Sequence, residues 1–256
     1  MTSLNAQEIA KGLRTLESVA LIPRVTSTNA IARRVVSECL ENELFLPRAI
    51  IVAGEQTDGQ GRNARTWSSP AGKGIYTTTL ITRTAEELAL VPLHTAIVVA
   101  SFLRETFDVD ARVKWPNDIL VGGRKIAGIL IEARRQEDRA YLLIGIGINV
   151  DPVSDPSRPN AVAISEVSRR DFGGVANATR AFIEHIDAHV AEPLVRESVL
   201  AEWRALSVHR NGDRVQCDIG PRVIVGTWNG IDDLGRALIR EGAETTAISA
   251  GDLLII

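Results

Sequence analysis

This chain of 256 residues contains few cysteines and has no excess of positive charge. Its two cysteines, Cys39 and Cys217, lie far apart and form no Cys-x-x-Cys spacing, so neither a disulfide framework nor a zinc site is expected. The 29 lysines and arginines are outnumbered by 32 acidic residues, which gives a net charge of −3. Because a general nucleic-acid-binding protein carries a basic surface, this composition argues against that class.

Long uninterrupted hydrophobic runs are also missing. The most apolar long stretch, residues 88–103, is interrupted by Pro92 and His94 and is too short to span a bilayer comfortably. The N-terminal segment carries charges such as Glu8 and Lys11 in place of an apolar core, so no secretory signal peptide is expected. These absences predict a cytoplasmic protein that does not enter a membrane.

What the sequence does contain is an apolar pattern of interleaved helices and strands. With 45% hydrophobic and 24% charged residues, the chain can bury one sizeable core and a small second one. Apolar residues at helical spacing, or in short runs rich in β-branched residues, predict an alternating order of elements. Helices are expected over residues 29–40, 86–107, 177–190 and 191–206, and strands over residues 49–53, 75–82, 113–121, 126–133 and 140–150. The pattern therefore predicts an α+β fold, a mixed sheet with helices packed on it.

Towards the C-terminus the pattern changes to short strands. Val215, Cys217 and Ile219 alternate with other residues, and glycines separate this piece from similar ones after it. Such spacing is typical of a small β-barrel, in the size range where a domain is only marginally stable alone. Two domains are therefore predicted, residues 1–207 and residues 208–256.

A stretch that contains two glycines and two arginines, residues 56–67, follows the first predicted strand closely. Gly59 and Gly61 can take positive φ and let backbone N–H groups approach a phosphate. Arg62 and Arg65 add permanent positive charge in a planar donor fork. These residues outline a phosphate or acyl-phosphate site. A solvated hairpin turn is the competing interpretation, because Gly, Asn and Asp are the ordinary residues of turns.

Four further segments accompany this loop and, with it, resemble the signatures of the biotin protein ligases in order and approximate spacing. They are Ser27-Thr28-Asn29, the Lys-Trp-Pro-Asn-Asp box at residues 114–118, the segment 122–130 with its Lys-Ile-Ala-Gly-Ile-Leu ending, and the Gly-Ile-Gly-Ile-Asn strand end at residues 145–149. The resemblance runs from about Val25 to Val150 and continues more weakly to the C-terminus.

The resemblance implies a catalytic domain related to the class II aminoacyl-tRNA synthetases, followed by an SH3-like C-terminal domain. It also implies a two-step reaction that uses ATP and Mg²⁺. Biotin is first converted to biotinyl-5'-AMP with release of pyrophosphate, and a lysine of a biotin carboxyl carrier domain then takes the acyl group. Fixed cations and Mg²⁺ are needed because two anions must meet in the first step. Biotin and ATP are substrates on this view, and no tightly bound prosthetic group is expected.

The family's roles carry over to the matching positions of this chain. Lys125, Arg62 and Arg65 would be catalytic, with Lys125 contacting the biotin carboxylate and the adenylate phosphate. Asp118 would help to hold Mg²⁺, which prefers a few carboxylate or amide oxygens plus phosphates. The biotin-binding set would comprise Ser27, Thr28, Asn29, Gln56, Gln60, Gly61, Arg62, Lys125 and Gly128. The nucleotide-binding set would comprise Arg62, Arg65, Trp67, Lys114, Asn117, Lys125 and Asn149.

Several of these side chains also have a purely structural interpretation. Ser27 and Thr28 could cap the helix that follows them. Lys125 could be a surface lysine after a hairpin. Trp67 could pack in the core beneath its loop, and Asp118 could be an ordinary turn residue.

Two positions depart from the family's usual glycine-arginine loop. Where many members have Gly-Arg-Gly-Arg-x-Gly-Arg, this chain has Gln60 in place of an arginine and Ala64 in place of a glycine. We expect the loop nevertheless to order over the bound adenylate and to exclude water, since an exposed mixed anhydride would hydrolyse before transfer.

About twenty-five residues precede Ser27, too few for the helix-turn-helix domain with which some members also repress biotin genes. We therefore expect a short-form ligase that does not bind DNA, with a biotin carboxyl carrier protein or domain as its partner. Whether two copies pair as a homodimer through a sheet edge is left open.

Three other functions compete with this interpretation. A lipoate or octanoate ligase or transferase shares the fold, but a straight acyl tail has no use for Ser27, Thr28 and Gln56 together. A nucleotide-binding oxidoreductase is only weakly indicated by Gly145 and Gly147, because the third glycine of its motif is missing. A binding module that has lost its activity would keep the same residues.

Overall fold

A seven-stranded mixed sheet forms the centre of the larger part of the chain. The computed structural model describes residues 4–155 and 159–256. The strands of this sheet are β1 (Ser18–Ile22), β2 (Ala49–Ala53), β3 (Gly74–Thr84), β4 (Ala111–Lys114), β5 (Asp118–Val121), β6 (Arg124–Gln136) and β7 (Arg139–Asn149). Their order is β1-β2-β3-β7-β6-β5-β4, in which β1 and β2 are parallel and the other described pairs are antiparallel.

Helices cover both faces of this sheet. They are α1 (Ala6–Gly12), α2 (Thr28–Glu41), α3 (Val91–Phe107), α4 (Ile164–Val167), α5 (Val175–His189) and α6 (Arg196–Leu206). Successive side chains of a strand point to opposite faces. Ala49 and Ile51 of β2 therefore share a cluster with α2, whereas Ile50 and Val52 join the larger core that contains α3. The sheet is thus buried between α2 on one face and α3 on the other.

The predicted α+β fold is confirmed, and helix α2 shows why the pattern was readable. Ser27 precedes it in an extended conformation, and Ala32, Val36 and Cys39 lie buried along one face at helical spacing. Asn42 ends the helix, with its backbone N–H donating to the carbonyl of Glu38.

The single strand expected over residues 113–121 is wrong. The chain forms two short antiparallel strands there, β4 and β5, joined by a tight turn that contains a cis peptide bond between Trp115 and Pro116. Proline has no backbone N–H and cannot continue a strand ladder, so the ladder is interrupted where the sequence predicted it to run on.

Two predicted helices begin later than expected. The helix expected over residues 191–206 begins only at Arg196, because Pro193 disfavours helical backbone in the residue before it. The helix expected over residues 86–107 begins at Val91, since the residues before it form turns. Both helices otherwise lie where their apolar periodicity places them.

A second, five-stranded antiparallel sheet follows α6. Its strands are β8 (Arg214–Asp218), β9 (Val223–Ile231), β10 (Ala237–Glu241), β11 (Glu244–Ile248) and β12 (Asp252–Ile255), in the order β11-β10-β9-β8-β12. Its buried side chains, among them Val215, Ile224 and Leu253, belong to the same hydrophobic cluster as α3. The predicted boundary at residues 207 and 208 lies between α6 and β8, and the division into two domains stays a prediction.

The turn between β4 and β5 is held by this second sheet. The backbone N–H of Trp115 donates to Nε2 of His209 at 3.1 Å, and the indole N–H donates to the carbonyl of Gly235 at 3.1 Å. His209 in turn stacks on Trp228 with ring centroids 4.6 Å apart. The C-terminal sheet therefore helps to place the Lys-Trp-Pro-Asn-Asp box. No helix within residues 4–155 and 159–256 combines the length and apolar character that crossing a bilayer requires.

Candidate active site

Most of the predicted site residues converge on one open cleft. The glycine-arginine loop, the start of α2, the Lys-Trp-Pro-Asn-Asp box and the strands β6 and β7 all contribute to its wall. Its lining includes Ser27, Thr28, Asn29, Gln56, Gln60, Gly61, Arg62, Arg65, Trp67, Asn117, Asp118, Lys125 and Gly128. A concave site with a few convergent polar groups is typical of small-molecule binding.

Uncharged polar groups form one part of the wall, where α2 begins. Oε1 of Gln56 accepts the backbone N–H of Thr28 at 2.8 Å and its hydroxyl at 3.1 Å. The hydroxyl oxygen of Thr78 lies within hydrogen-bond distance of both Oγ1 of Thr28 and Oδ1 of Asn29. Ser27 occupies the N-cap position, but its side chain makes no capping hydrogen bond. These buried dipoles can recognise a neutral polar group of a ligand without adding charge.

The glycines of β6 and β7 let Trp67 lie flat against the sheet. A Cβ atom at Gly147 would overlap the indole of Trp67, and one at Gly128 would lie 3.0 Å from its ring. A Cβ at Gly145 would overlap the carboxamide of Asn29. These positions therefore need glycine for close packing, and the packed tryptophan forms part of the cleft wall.

Cations line another part of the cleft. Nζ of Lys125 lies 2.5 Å from Oδ1 of Asp118 and 5.3 Å from the centroid of the Trp67 ring. The guanidinium of Arg62 donates to Oδ1 of Asn117 at 3.0 Å. Arg65 forms an ion pair with Asp252 of the C-terminal sheet at 2.5 Å. The arrangement can bind an anion and offset negative charge that develops on it.

The glycine-arginine loop contains a short 3-10 turn over Arg62–Ala64. Asn63 and Ala64 adopt positive φ values of 53° and 56°. This left-handed region favours glycine, and a residue with a Cβ atom occupies it at a cost. Ala64 therefore occupies a position where the glycine found in many family members would adopt this conformation without strain.

The second departure, Gln60, is contacted from α2. Nη2 of Arg33 donates to Oε1 of Gln60 at 3.1 Å, while Nη1 of the same arginine contacts both carboxylate oxygens of Glu132 at 2.9 Å. Glu132 also accepts a hydrogen bond from Nδ2 of Asn29 at 2.7 Å. A guanidinium from a helix therefore stands beside the position where many family members have a loop arginine.

Two predicted nucleotide-binding residues do not line the cleft. Lys114 lies at the end of β4, where its positive charge acts on the buried imidazole of His209. Asn149 is buried, and its Nδ2 donates to the carbonyls of Lys125 and Val162 at 3.3 and 3.1 Å. Asn149 therefore supports the backbone of Lys125. Direct nucleotide contact by Lys114 and Asn149 stays a prediction.

The structure adds cleft residues that the sequence motifs did not single out. Thr77 lines the cleft, and its buried hydroxyl has no hydrogen-bond partner among the described residues. Thr78 orders the polar wall, and Asp252 joins from the second sheet. The two threonines lie in a run of β-branched residues whose only sequence signal is a strand.

Two buried side chains near the C-terminal sheet have displaced pKa values. Burial, reinforced by the charge of Lys114, lowers the pKa of His209 to about 4. Burial, reinforced by the nearby carboxylates of Asp252 and Asp218, raises the pKa of the Cys217 thiol to about 11. Cys217 is therefore a neutral core residue at ordinary pH and does not act as a nucleophile.

Comparison with known proteins places this cleft in context. Residues 21–149 match the Biotin/lipoate A/B protein ligase family. The chain is 31% identical over 219 residues to the Bifunctional ligase/repressor BirA of Bacillus spizizenii, a match that covers 80% of this chain and 65% of that relative's length. It is 27% identical over 251 residues to the Biotin--[acetyl-CoA-carboxylase] ligase of Paracoccus denitrificans, covering 91% of this chain and 98% of the relative.

Among solved structures, the fold is similar to that of biotin protein ligase from Aquifex aeolicus in complex with biotin and ATP. The TM-score is 0.70 at 24% sequence identity, over 93% of this chain and 99% of the other. This likeness shows a shared fold, and the family match covers the segment that holds most of the cleft residues. The chain therefore belongs to the biotin/lipoate A/B protein ligase family.

Proposed function

We propose that this protein is a biotin protein ligase that activates biotin with ATP and transfers it to a lysine of a carrier domain. The observation that carries the proposal is a single cleft whose wall combines uncharged polar groups, at Thr28 and Gln56, with cationic groups, at Arg62 and Lys125. Biotin has a neutral ureido ring at one end and a carboxylate at the other. The names of the similar proteins from Paracoccus denitrificans and Aquifex aeolicus point to the same activity.

In the first step, an oxygen of the biotin carboxylate attacks the α-phosphorus of ATP. A new bond forms between that oxygen and phosphorus, and the bond from the α-phosphorus to the bridging oxygen breaks. Pyrophosphate leaves with the electron pair, and biotinyl-5'-AMP remains. Lys125 and Arg62 would offset the repulsion between carboxylate and phosphate and the charge that develops in the transition state.

In the second step, the neutral amine of a carrier lysine attacks the acyl carbon of the adenylate. An amide bond forms, the acyl–oxygen bond to AMP breaks, and the amine proton passes to solvent. The glycine-arginine loop forms part of the cleft wall and would exclude water until the lysine arrives. Arg65 of this loop is 69% exposed.

Magnesium is part of the proposal as a companion of ATP. No cluster of three or more His, Cys, Asp or Glu side chains suited to a metal occurs in the described part of the chain. Asp118 nevertheless places a carboxylate on the cleft wall, and Mg²⁺ is usually held by one or two carboxylates together with phosphates and water. The ion would supply further neutralisation of phosphate charge, and Asp118 and Asn117 are the residues that would hold it.

The main rival is a lipoate or octanoate ligase of the same family. Thr28, Gln56 and Thr78 form a connected polar network, and Thr28 and Gln56 line the cleft. A straight acyl chain would cover these polar groups without offering them any further hydrogen bond, which costs free energy. The network therefore favours a ligand with its own hydrogen-bonding head.

Pyrophosphate release from ATP tests the first step without a carrier domain. We expect release that requires biotin, with lipoate and octanoate inactive in its place. Gln56→Leu should raise the KM for biotin about tenfold or more, because it removes the acceptor that organises Thr28. Release of equal rate without biotin, or with lipoate in its place, would disprove the proposal.

A further inference from the structure

We propose that Asp252, at the start of β12, is a positioning residue for the glycine-arginine loop. It holds Arg65 while the cleft is empty and releases it when the phosphates of the nucleotide enter. The inference rests on the proposed function, because it concerns the ATP that this function requires. It assigns a role at the nucleotide site to a residue of the second sheet, 187 positions from Arg65 along the chain.

Three contacts join the loop to the residues that begin β12. Nη2 of Arg65 lies 2.5 Å from Oδ2 of Asp252, and Nδ2 of Asn63 lies 3.5 Å from the same oxygen. Nη2 of Arg62 donates to the carbonyl of Gly251 at 3.2 Å. Asp252 also lines the cleft itself, so its carboxylate stands beside the space that the ligands would occupy.

The two loop arginines are held in different ways. Arg62 donates to two neutral oxygens, those of Asn117 and Gly251, and the described residues show no carboxylate paired with it. Arg65 is paired with a carboxylate, which offsets its charge. Arg62 can therefore bind a phosphate directly, whereas a phosphate can pair with Arg65 only if it displaces the carboxylate of Asp252.

Asp252 is anchored more firmly than its partner. Its side chain is 26% exposed and that of Arg65 is 69% exposed. The adjacent Leu253 is buried and pairs with Cys217 of β8, and a Cβ atom at Gly251 would lie 2.6 Å from the Cys217 sulfur. The carboxylate is therefore fixed on a packed strand, and the arginine is the member of the pair that can move.

Competition between like charges follows from this geometry. The phosphates of ATP and the carboxylate of Asp252 both attract the guanidinium of Arg65, and they repel each other. Asp252 therefore lowers the affinity for ATP and, in exchange, keeps the empty loop in its bent conformation. Removal of the charge should strengthen ATP binding and loosen the empty loop at the same time. If Asp252 had a purely structural role, removal of its charge would weaken ATP binding as well as loosen the loop.

The test compares Asp252→Asn with the wild type. The non-cleavable analogue α,β-methylene-ATP is titrated with Mg²⁺, at low salt, into protein saturated with biotin. We expect D252N to bind the analogue about threefold more tightly, the size typical of a partly exposed ion pair. Trypsin should cut the empty loop faster in D252N, and biotin plus the analogue should protect both proteins equally.

Two controls make the result specific. Asp218→Asn removes the same charge from the position of β8 that pairs with Asp252. Among the described residues, Asp218 forms no hydrogen bond or ion pair with a loop arginine. It should leave analogue affinity unchanged. In an Arg65→Ala background, D252N should no longer tighten binding.

Unchanged or weaker binding by D252N, an equal effect of D218N, or an effect that persists without Arg65 would overturn the inference. Biotin-dependent pyrophosphate release by the wild type is measured in parallel. If that release is present and D252N behaves like the wild type, this inference alone has failed. If that release is absent, the proposed function has failed.

Discussion

His209 connects the two sheets, and its burial makes this connection depend on pH. Its Nε2 accepts the backbone N–H of Trp115 at 3.1 Å, and its ring stacks on Trp228. Nε2 can accept this bond only while it carries no proton. Burial, with the help of the charge on Lys114, lowers the pKa of His209 to about 4, so the folded protein keeps the imidazole neutral well below ordinary pH.

The sign and size of the effect follow from linkage. The folded pKa of about 4 lies below the unfolded value of 6.5, so the folded protein binds fewer protons here and is more stable at higher pH. The contribution is complete above pH 6.5 and is lost as the pH falls from 6.5 towards 4. Its full size is roughly 3 kcal/mol, of which about 2 kcal/mol is lost between about pH 7 and about pH 5.

Urea unfolding of the wild type and of His209→Gln across this pH range measures the loss. Glutamine keeps an acceptor for the N–H of Trp115 but does not titrate, so the free energy of unfolding of H209Q should fall by about 2 kcal/mol less. Burial also lowers the pKa values of His94 and His185, but both proteins contain these residues, so their contributions cancel. Equal pH dependence in the two proteins would refute the reasoning.

Three further substitutions test the site and the fold. Lys125→Met removes a cleft cation and should lower the rate of pyrophosphate release about 100-fold or more with the fold intact by circular dichroism, and a near-normal rate would contradict its role. Gly147→Ala places a methyl group against the indole of Trp67 and should lower the free energy of unfolding in urea by about 1–3 kcal/mol. It should also weaken nucleotide binding measured by calorimetry, and an unchanged affinity would show that the ring is not part of the site. Asp187→Asn weakens three hydrogen bonds from the backbone N–H groups of residues 14–16 and should cost about 2 kcal/mol in urea unfolding, which a change within error would refute.

Short sequence motifs predicted most of the candidate site because each motif folds locally. The loop at residues 56–67 and the box at residues 114–118 contain their own turns, and each brings several polar residues to the cleft. Lys125 follows the turn between β5 and β6, where the glycine pair at residues 122 and 123 takes positive φ. Such local chemistry is visible without knowledge of the tertiary fold.

Residues that reach the cleft through long-range packing were not predictable in this way. Asp252 joins it only because β12 pairs with β8 and its sheet packs beside the loop. Thr78 acts there because β3 pairs with β7 and faces the start of α2. Nothing in a run of threonines or in a single C-terminal aspartate indicates these contacts, since each depends on residues far away in the sequence.

The two departures in the loop show how context alters a motif. Ala64 occupies a left-handed conformation with φ of 56°, so Ala64 adds strain that a glycine would not have. Gln60 lacks the positive charge of the arginine that many family members have at this position. The guanidinium of Arg33 lies 3.1 Å from the glutamine oxygen, but it is also paired with Glu132. The loop therefore keeps its shape through contacts with α2 and β12 in addition to its own sequence.

Transfer of biotin to a carrier domain tests the central claim most directly. The protein is mixed with ATP, Mg²⁺ and a purified biotin carboxyl carrier domain, with biotin or with lipoate, and the carrier is weighed by mass spectrometry. We expect the mass of one biotinyl group on the carrier, none with lipoate, and none when the acceptor lysine is changed to arginine. A carrier that gains lipoate, or that gains nothing in the presence of biotin, would contradict the account.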